Sequence, residues 1–269
     1  MSTETNDLSD SIPEDATHPE PYFISQLGFR IEPSEGGMVG EIELVPELMV
    51  PGHPVPRISV LATAGDILIG QLANTLTTEI ALTVDLAVRV LRPVESERLT
   101  MSATILKAGR TLIAGEAYWA DHRGNMVAHC WATFMASPRP LDSGMTGDPE
   151  HTAPAHRGPM LKVPFLEMLR LEVPTAGVAE VPRRPAILQP TGTLQGGVIC
   201  ALAEQAAESK IGAPITSLDT RYLAGIREGN GRATATELSP DVAQVVVIDS
   251  LRPDRPAAVV HAGTTAANR

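Results

Sequence analysis

Two carboxylates in this chain sit inside apolar runs, where charge is costly. Glu204 is the only charge in Val198–Ala207, and Asp66 is the only charge between Ile58 and Asn74. An isolated carboxylate in such a place costs several kcal/mol if unpaired, or else its pKa rises. Either outcome suits a general base or a nucleophile. For Asp66 the plainer alternative is a carboxylate satisfied by a nearby donor, such as Ser59 or a backbone N–H of the other half of the chain. Upstream of Glu204 lie Gln189-Pro190-Thr191-Gly192 and then Gln195-Gly196-Gly197. Glycines at a helix start let a substrate oxygen approach free backbone N–H groups at the positive end of the dipole. From Gly196 to Glu204 the helix rises roughly 12 Å, so the two cannot meet along one helix. An extended substrate, or a contribution from the other half, must close that gap.

These residues need long helices to hold them. The stretches Ile58–Asn74 and Gly196–Gly212 are too long for ordinary strands and apolar on nearly every side, which predicts buried helices. Strand-like runs follow each one: 81–93, 98–109, 111–121 and 125–137, then 214–225, 231–240, 243–251 and 257–266. Each block opens with a short Phe- and Leu-containing segment, 23–32 or 165–174, followed by Pro- and Gly-rich turns. Arg89-Val90-Leu91 matches Arg221-Tyr222-Leu223, and Val127-Ala128-His129 matches Val259-Val260-His261. The chain therefore reads as a duplication whose halves pack as a pseudo-dimer, each a helix wrapped by an antiparallel sheet in an α+β layer. The predicted divisions are a disordered acidic tail over 1–21, domains over 22–136 and 159–267, and a Pro- and Gly-rich linker over 137–158.

Composition narrows the function classes. The chain has 269 residues, 43% hydrophobic and 20% charged, which are globular values. A net charge of −11 argues against nucleic acid or an anionic membrane surface as partner. No run approaches the ~18 apolar residues of a membrane span, and the acidic N-terminus lacks the apolar core of a signal peptide. Cys130 and Cys200 read as buried free thiols of a reducing compartment, which places the protein in the cytoplasm. No His, Cys or Asp group has metal-ligand spacing, with His151 and His156 falling in the linker, so neither metal nor cofactor is expected. P-loop, nucleophile-elbow and dinucleotide motifs are absent from the sequence.

The plan of Gly-containing loop, one long helix and a run of strands resembles the hotdog fold. Twice in one chain, it resembles a double-hotdog acyl-CoA thioesterase. Gln189, Gly196 and Glu204 are similar in pattern to hotdog thioesterases: an Asn or Gln, a Gly seven residues on, an acid eight further. The stretch TGTLQGGVICALAEQAA resembles the signature of the phenylacetate-pathway and 4-hydroxybenzoyl-CoA thioesterase superfamily, with Gln195 where that signature has His. The resemblance implies hydrolysis of an acyl or aryl thioester, of CoA or an acyl carrier, at the interface of two hotdog units. It implies that Gln189, Gln195, Gly196 and Gly197 hold the carbonyl and that Glu204 is the base or nucleophile. It also implies CoA phosphates on basic residues, here Arg89, Arg92, Arg221 or Arg227, and further pairing of chains into a homo-oligomer. The first half departs from the pattern, with Ile58 at the position of Gly196 and Pro51 at that of Gln189. Either its site is degenerate, leaving Asp66 a relic or a polar contributor to the second site, or Asp66 is the working carboxylate, helped by Arg57 or His53. Glu204 is the favoured carboxylate on this reading. The competing function is a non-catalytic module that binds acyl-CoA or another small ligand. A hotdog hydratase would need an Asp/His pair in one short motif, and none is present.

Overall fold

The computed structural model describes residues 20–77, 80–137, 159–189 and 191–264. The tail and linker expectations lie outside these residues except at their margins, as do His151 and His156. In the first half a short helix α1 (Phe23–Gln26) precedes β1 (Arg30–Ser34), β2 (Gly37–Glu43) and helix α2 (Ile58–Asn74). Strands β3 (Ala81–Val90), β4 (Arg98–Ala108), β5 (Leu112–Ala120) and β6 (Met126–Ala136) follow. The second half repeats this order with α3 (Phe165–Met168), β7 (Glu172–Thr175), β8 (Val178–Val181) and α4 (Gly196–Ile211). It closes with β9 (Ser217–Tyr222), β10 (Gly231–Ser239), β11 (Val242–Asp249) and β12 (Arg252–Gly263).

The strands form one 12-stranded antiparallel sheet, ordered β1-β2-β4-β5-β6-β3-β9-β12-β11-β10-β8-β7. Strands β3 and β9 make the seam between the halves. Even-numbered residues of β3 and β6, such as Leu86, Val88, Cys130 and Phe134, point inward onto α2 and are buried. Strands of the second half cover α4 in the same way. Strands β5 and β11 show the clean period-2 burial of a sheet with one packed face. Both helices are too apolar to stand on a surface, and each has its own half of the sheet on one side and the other helix against it.

The edge strands β1 and β7, and β2 and β8 next to them, occupy part of what the sequence offered only as turns. Pro33, Gly37, Gly40 and Pro174 interrupt three of them, and the edge strands β1 and β7 bury no residue, so they carry little core-facing signal. The seam confirms one internal match and corrects another. The ladder from Asp85↔Arg221 to Arg89↔Ser217 is centred on Ala87↔Asp219, and a pseudo-two-fold axis through that centre makes Arg89 and Arg221 equivalent. One strand further out, Arg89 pairs with His129 but Arg221 pairs with Val259. Val259, not His261, therefore stands at the place of His129. A slip of two residues keeps every side chain on its own face, so the alternation pattern cannot reveal it.

The two long helices run antiparallel, with the start of each beside the middle of the other. Gly197 in the first turn of α4 lies against Thr63 of α2 so closely that a Cβ there would stand 1.9 Å from Thr63 Oγ1 and 2.9 Å from Thr63 Cβ. No rotamer change of Thr63 clears its own Cβ. Gly197→Ala should therefore push the helices apart and cost about 2–3 kcal/mol, in the range of overpacked cores. A thermal melt checks this, and an unchanged melting temperature would contradict the contact.

Candidate active site

The crossing of the helices creates two pseudo-equivalent places, each a helix start facing a carboxylate from the other half. At the start of α2 that carboxylate is Glu204, fully buried at 0% exposure. It accepts the backbone N–H of Ile58 at 3.3 Å and of Ser59 at 3.1 Å, together with a short hydrogen bond from the Ser59 hydroxyl. Arg57 Nη1 lies 3.4 Å from Glu204 Oε1 and makes a second, very short contact with Glu208. Burial opposes the charge on Arg57, which is 8% exposed, but the two carboxylates outweigh it and hold its pKa above the ordinary value. Burial, and then the nearby Glu204, push the Glu208 carboxyl up, against the pull of Arg57. Every orphan N–H that a ligand could use here already has a partner in Glu204. The arrangement is a helix cap supplied across the chain, closed by an ion pair.

At the start of α4 the carboxylate is Asp66, one methylene shorter. Its Oδ1 accepts the Thr83 hydroxyl at 2.6 Å. Its Oδ2 stands 3.3 Å from the point where a Cβ on Gly196 would be, so only glycine leaves comfortable room for the approach. Burial pushes the Asp66 carboxyl up to about 6, although the Thr83 hydrogen bond pulls it down. The cap of α4 is its own: Gln195 Oε1 accepts the Gly197 N–H. That bond turns the Gln195 amide NH2 away from the helix, and it donates to no described residue. The Gly196 N–H likewise has no acceptor among the described residues. An ionisable carboxylate thus faces a helix start that still has donors to give.

The structure regroups the residues singled out in the sequence. It brings Asp66 to Gly196, at the helix start that Gln195 caps, and it sets Glu204 with Arg57, Ile58 and Ser59 instead. Glu204 and Gly196 do not meet along α4, as their spacing implied, and each faces a residue of the other half instead. Gln189 lies in the loop that feeds α4, where its side chain bonds Thr193 and its N–H bonds the Thr193 carbonyl at 2.8 Å. It shapes the loop and makes no recorded contact with Gly196. His53 is exposed in the loop before α2. Arg89 is held by Asp219 through two bonds of 2.7 and 2.8 Å, and Arg221 by Asp85 at 3.1 Å, both pairs lying across the seam on the outer face of the sheet. Arg92 is exposed beyond the end of β3. Arg227 donates to the Thr191 carbonyl at 2.9 Å, on the loop before α4. Among the described residues no group of His, Cys, Asp or Glu could hold a metal ion, and no helix is long and apolar enough to cross a membrane.

Thr83, Thr63 and Glu208, together with Tyr222, whose hydroxyl donates to the Gly196 carbonyl at 3.1 Å, stand at these places and were not singled out in the sequence. Glu208 had a signal, being one helical turn from Glu204 and so on the same face. Thr83 and Tyr222 had none, because their place depends on which strand runs under which helix.

No protein-family model matches the chain, and no curated protein matches its sequence. Solved structures do. An acyl-ACP thioesterase from Bacteroides thetaiotaomicron aligns with a TM-score of 0.60 at 13% identity, over 84% of this chain and 96% of that one. The 12:0-ACP thioesterase from Umbellularia californica aligns at 0.56 and 12%, over 84% and 95%. A hot dog-fold protein of unknown function from Alicyclobacillus acidocaldarius aligns at 0.51 and 14%, over 89% and 96%. The fold is a tandem hotdog. The expected α+β pseudo-dimer is what the chain forms, and both helix-start places lie between its two hotdog units. At identities this low the likeness carries the fold, and the chemistry has to come from the residues.

Proposed function

We propose that the chain is a thioester hydrolase with one working site, where Asp66 faces the start of α4. The observation that carries this reading is the contrast between the two helix starts. Glu204 uses up the N–H groups of α2, whereas Asp66 stops short of those of α4 and keeps a carboxyl that titrates at about 6. In this reading the thioester carbonyl oxygen accepts the Gly196 N–H, with the Gln195 amide as a further donor. Negative charge grows on that oxygen as the tetrahedral intermediate forms, and preset donors at a positive helix end stabilise it. The Asp66 carboxylate takes the proton of an attacking water or attacks the carbonyl carbon itself. Thr83 holds one of its oxygens and leaves the other facing Gly196. Glu204, the favoured residue on sequence grounds, becomes a structural anchor.

The substrate class proposed is an acyl or aryl thioester of CoA. Arg183 and Arg227 donate to the consecutive carbonyls of Gly192 and Thr191, at 3.0 and 2.9 Å, just before the helix start. Each keeps further N–H donors for a phosphate. Arg89 and Arg221 are already matched to carboxylates, and Arg92 lies beyond the end of β3 rather than in this loop, so the phosphate role passes to Arg227 with Arg183. No cofactor is required by this chemistry.

Thiol release from a panel of short, long and aryl acyl-CoAs tests the proposal, run on wild type and on Asp66→Asn. Wild type should turn over at least one class, and the variant should lose about 10³-fold or more in kcat/KM. A folded wild type that releases no thiol from any of them would sink the reading. The pH profile gives a second check. Only the ionised carboxylate works, so kcat/KM should be flat above pH 6 and fall about tenfold per unit below it. A flat profile down to pH 5 would mean that Asp66 is not the titrating group.

A further inference from the structure

The Asp66 site holds a hydroxyl that this mechanism leaves unused. Tyr222, at the end of β9, donates its O–H to the Gly196 carbonyl at 3.1 Å, and its oxygen lies 3.3 Å from Cys200 Sγ. The point where a Gly196 Cβ would stand is 3.2 Å from that oxygen and 3.3 Å from Asp66 Oδ2. The phenol and the carboxylate therefore flank the same glycine. Resting on the hydrolase reading, the backbone donors at this helix start come down to one, beside the Gln195 amide. The Gly197 N–H goes to Gln195 Oε1, and the Val198 N–H goes to the Gln195 carbonyl at 3.0 Å. The first turn of α4 thus offers an oxyanion a single backbone donor, Gly196.

The two halves differ here in a correlated way. By the seam register, the position of Tyr222 in the first half is Val90, and by the helix starts the position of Gly196 is Ile58. The closed half carries two aliphatic side chains where the open half carries a glycine and a phenol. Moving the Tyr222 proton costs the helix little. The Gly196 carbonyl, as the first of α4, also accepts the Cys200 N–H by the regular i→i−4 pattern, so it stays satisfied when the hydroxyl turns away. That turn is a rotation about one bond.

We propose that Tyr222 is a catalytic hydrogen-bond donor, swinging its hydroxyl from the Gly196 carbonyl to the oxyanion beside the Gly196 N–H. Its proton is not transferred. Burial, Cys200 and Asp66 hold the phenol well above its ordinary pKa, so it remains a neutral donor throughout the working range.

Tyr222→Phe keeps the ring and removes only the donor. On the acyl-CoA that wild type turns over fastest, kcat should fall about 100-fold, as for loss of one oxyanion donor. KM should stay within about threefold, the acid limb near pH 6 should not move, and the melting temperature should shift by no more than a few degrees. Cys200→Ala, which removes the other neighbour of the phenol oxygen, should keep kcat within about threefold. A Tyr222→Phe enzyme with kcat within threefold of wild type would overturn the proposal while leaving the hydrolase intact. So would a loss shared equally by Cys200→Ala, or one accompanied by a shifted pH limb, since either marks a packing role. A folded wild type inactive on every thioester would overturn the hydrolase reading, and this one with it.

Discussion

Asp66→Glu should be as inactive as Asp66→Asn, with kcat/KM down about 10³-fold or more. The substitution keeps the charge and adds one methylene, and by ordinary conservative reasoning it should be mild. The other half of the chain shows why it is not. There a glutamate at the equivalent place reaches the start of α2 and accepts the N–H groups of Ile58 and Ser59. A glutamate at position 66 would reach the start of α4 in the same way and occupy the Gly196 N–H that the carbonyl needs. The variant should also melt higher than wild type, because it gains a helix cap worth about 1 kcal/mol. Asp66→Asn should melt higher too, for a different reason. The folded-state pKa of Asp66 is raised from 3.8 to about 6, so between these values the native chain holds a proton that the unfolded chain has released. The stability this gives is fully present below pH 4 and is lost as pH rises through 6. At pH 7 the asparagine variant should thus gain on the order of 3 kcal/mol, and the gain should nearly vanish toward pH 4. Kinetics with calorimetry at pH 4 and 7 checks both variants. An active Asp66→Glu enzyme would remove the basis for assigning the open site.

Glu204→Ala should have the opposite signature, a large loss of stability with chemistry intact. It strands Arg57 beside Glu208 alone and leaves the Ile58 and Ser59 N–H groups without their acceptor in a buried place. Breaking a buried pair from one side costs about 3–5 kcal/mol. For a chain of this size that is roughly a 10 °C fall in melting temperature. Measured below its transition and corrected for folded fraction, kcat should remain within about threefold of wild type. Abolished turnover at an unchanged melting temperature would return the chemistry to Glu204, where the sequence pattern put it.

Much of the architecture was legible from residue pattern. Ile58–Asn74 is a helix over the whole predicted span, and the second helix starts at Gly196 and stops one residue short of the predicted end, at Ile211. Their all-round apolarity requires a cover on every side, and the strand runs supply it. The carboxylates were legible too, as lone charges in the apolar runs of those helices. What could not be read was the crossing. Whether Gly196 meets Glu204 or Asp66 depends on how two helices 130-odd residues apart lie across each other, and no local spacing encodes that. Tyr222 was quoted only as part of an internal match, because its chemistry comes from the glycine it happens to touch. The edge strands were missed for want of a buried face, as Arg30–Ser34 shows with four exposed residues in five.

The seam between β3 and β9 is made within a single polypeptide. Two separate subunits joined by such a seam would come apart on dilution, whereas tethered halves meet at an effective concentration that dilution does not alter. Specific activity should therefore be independent of enzyme concentration as far as the seam is concerned. A symmetric dimer must also carry each substitution twice, once per subunit. Covalent joining lifts that constraint: an isoleucine and a valine can seal one helix start while a glycine and a tyrosine keep the other open. On the hydrolase reading, one helix start is thereby free to specialise in holding the molecule together and the other in reacting.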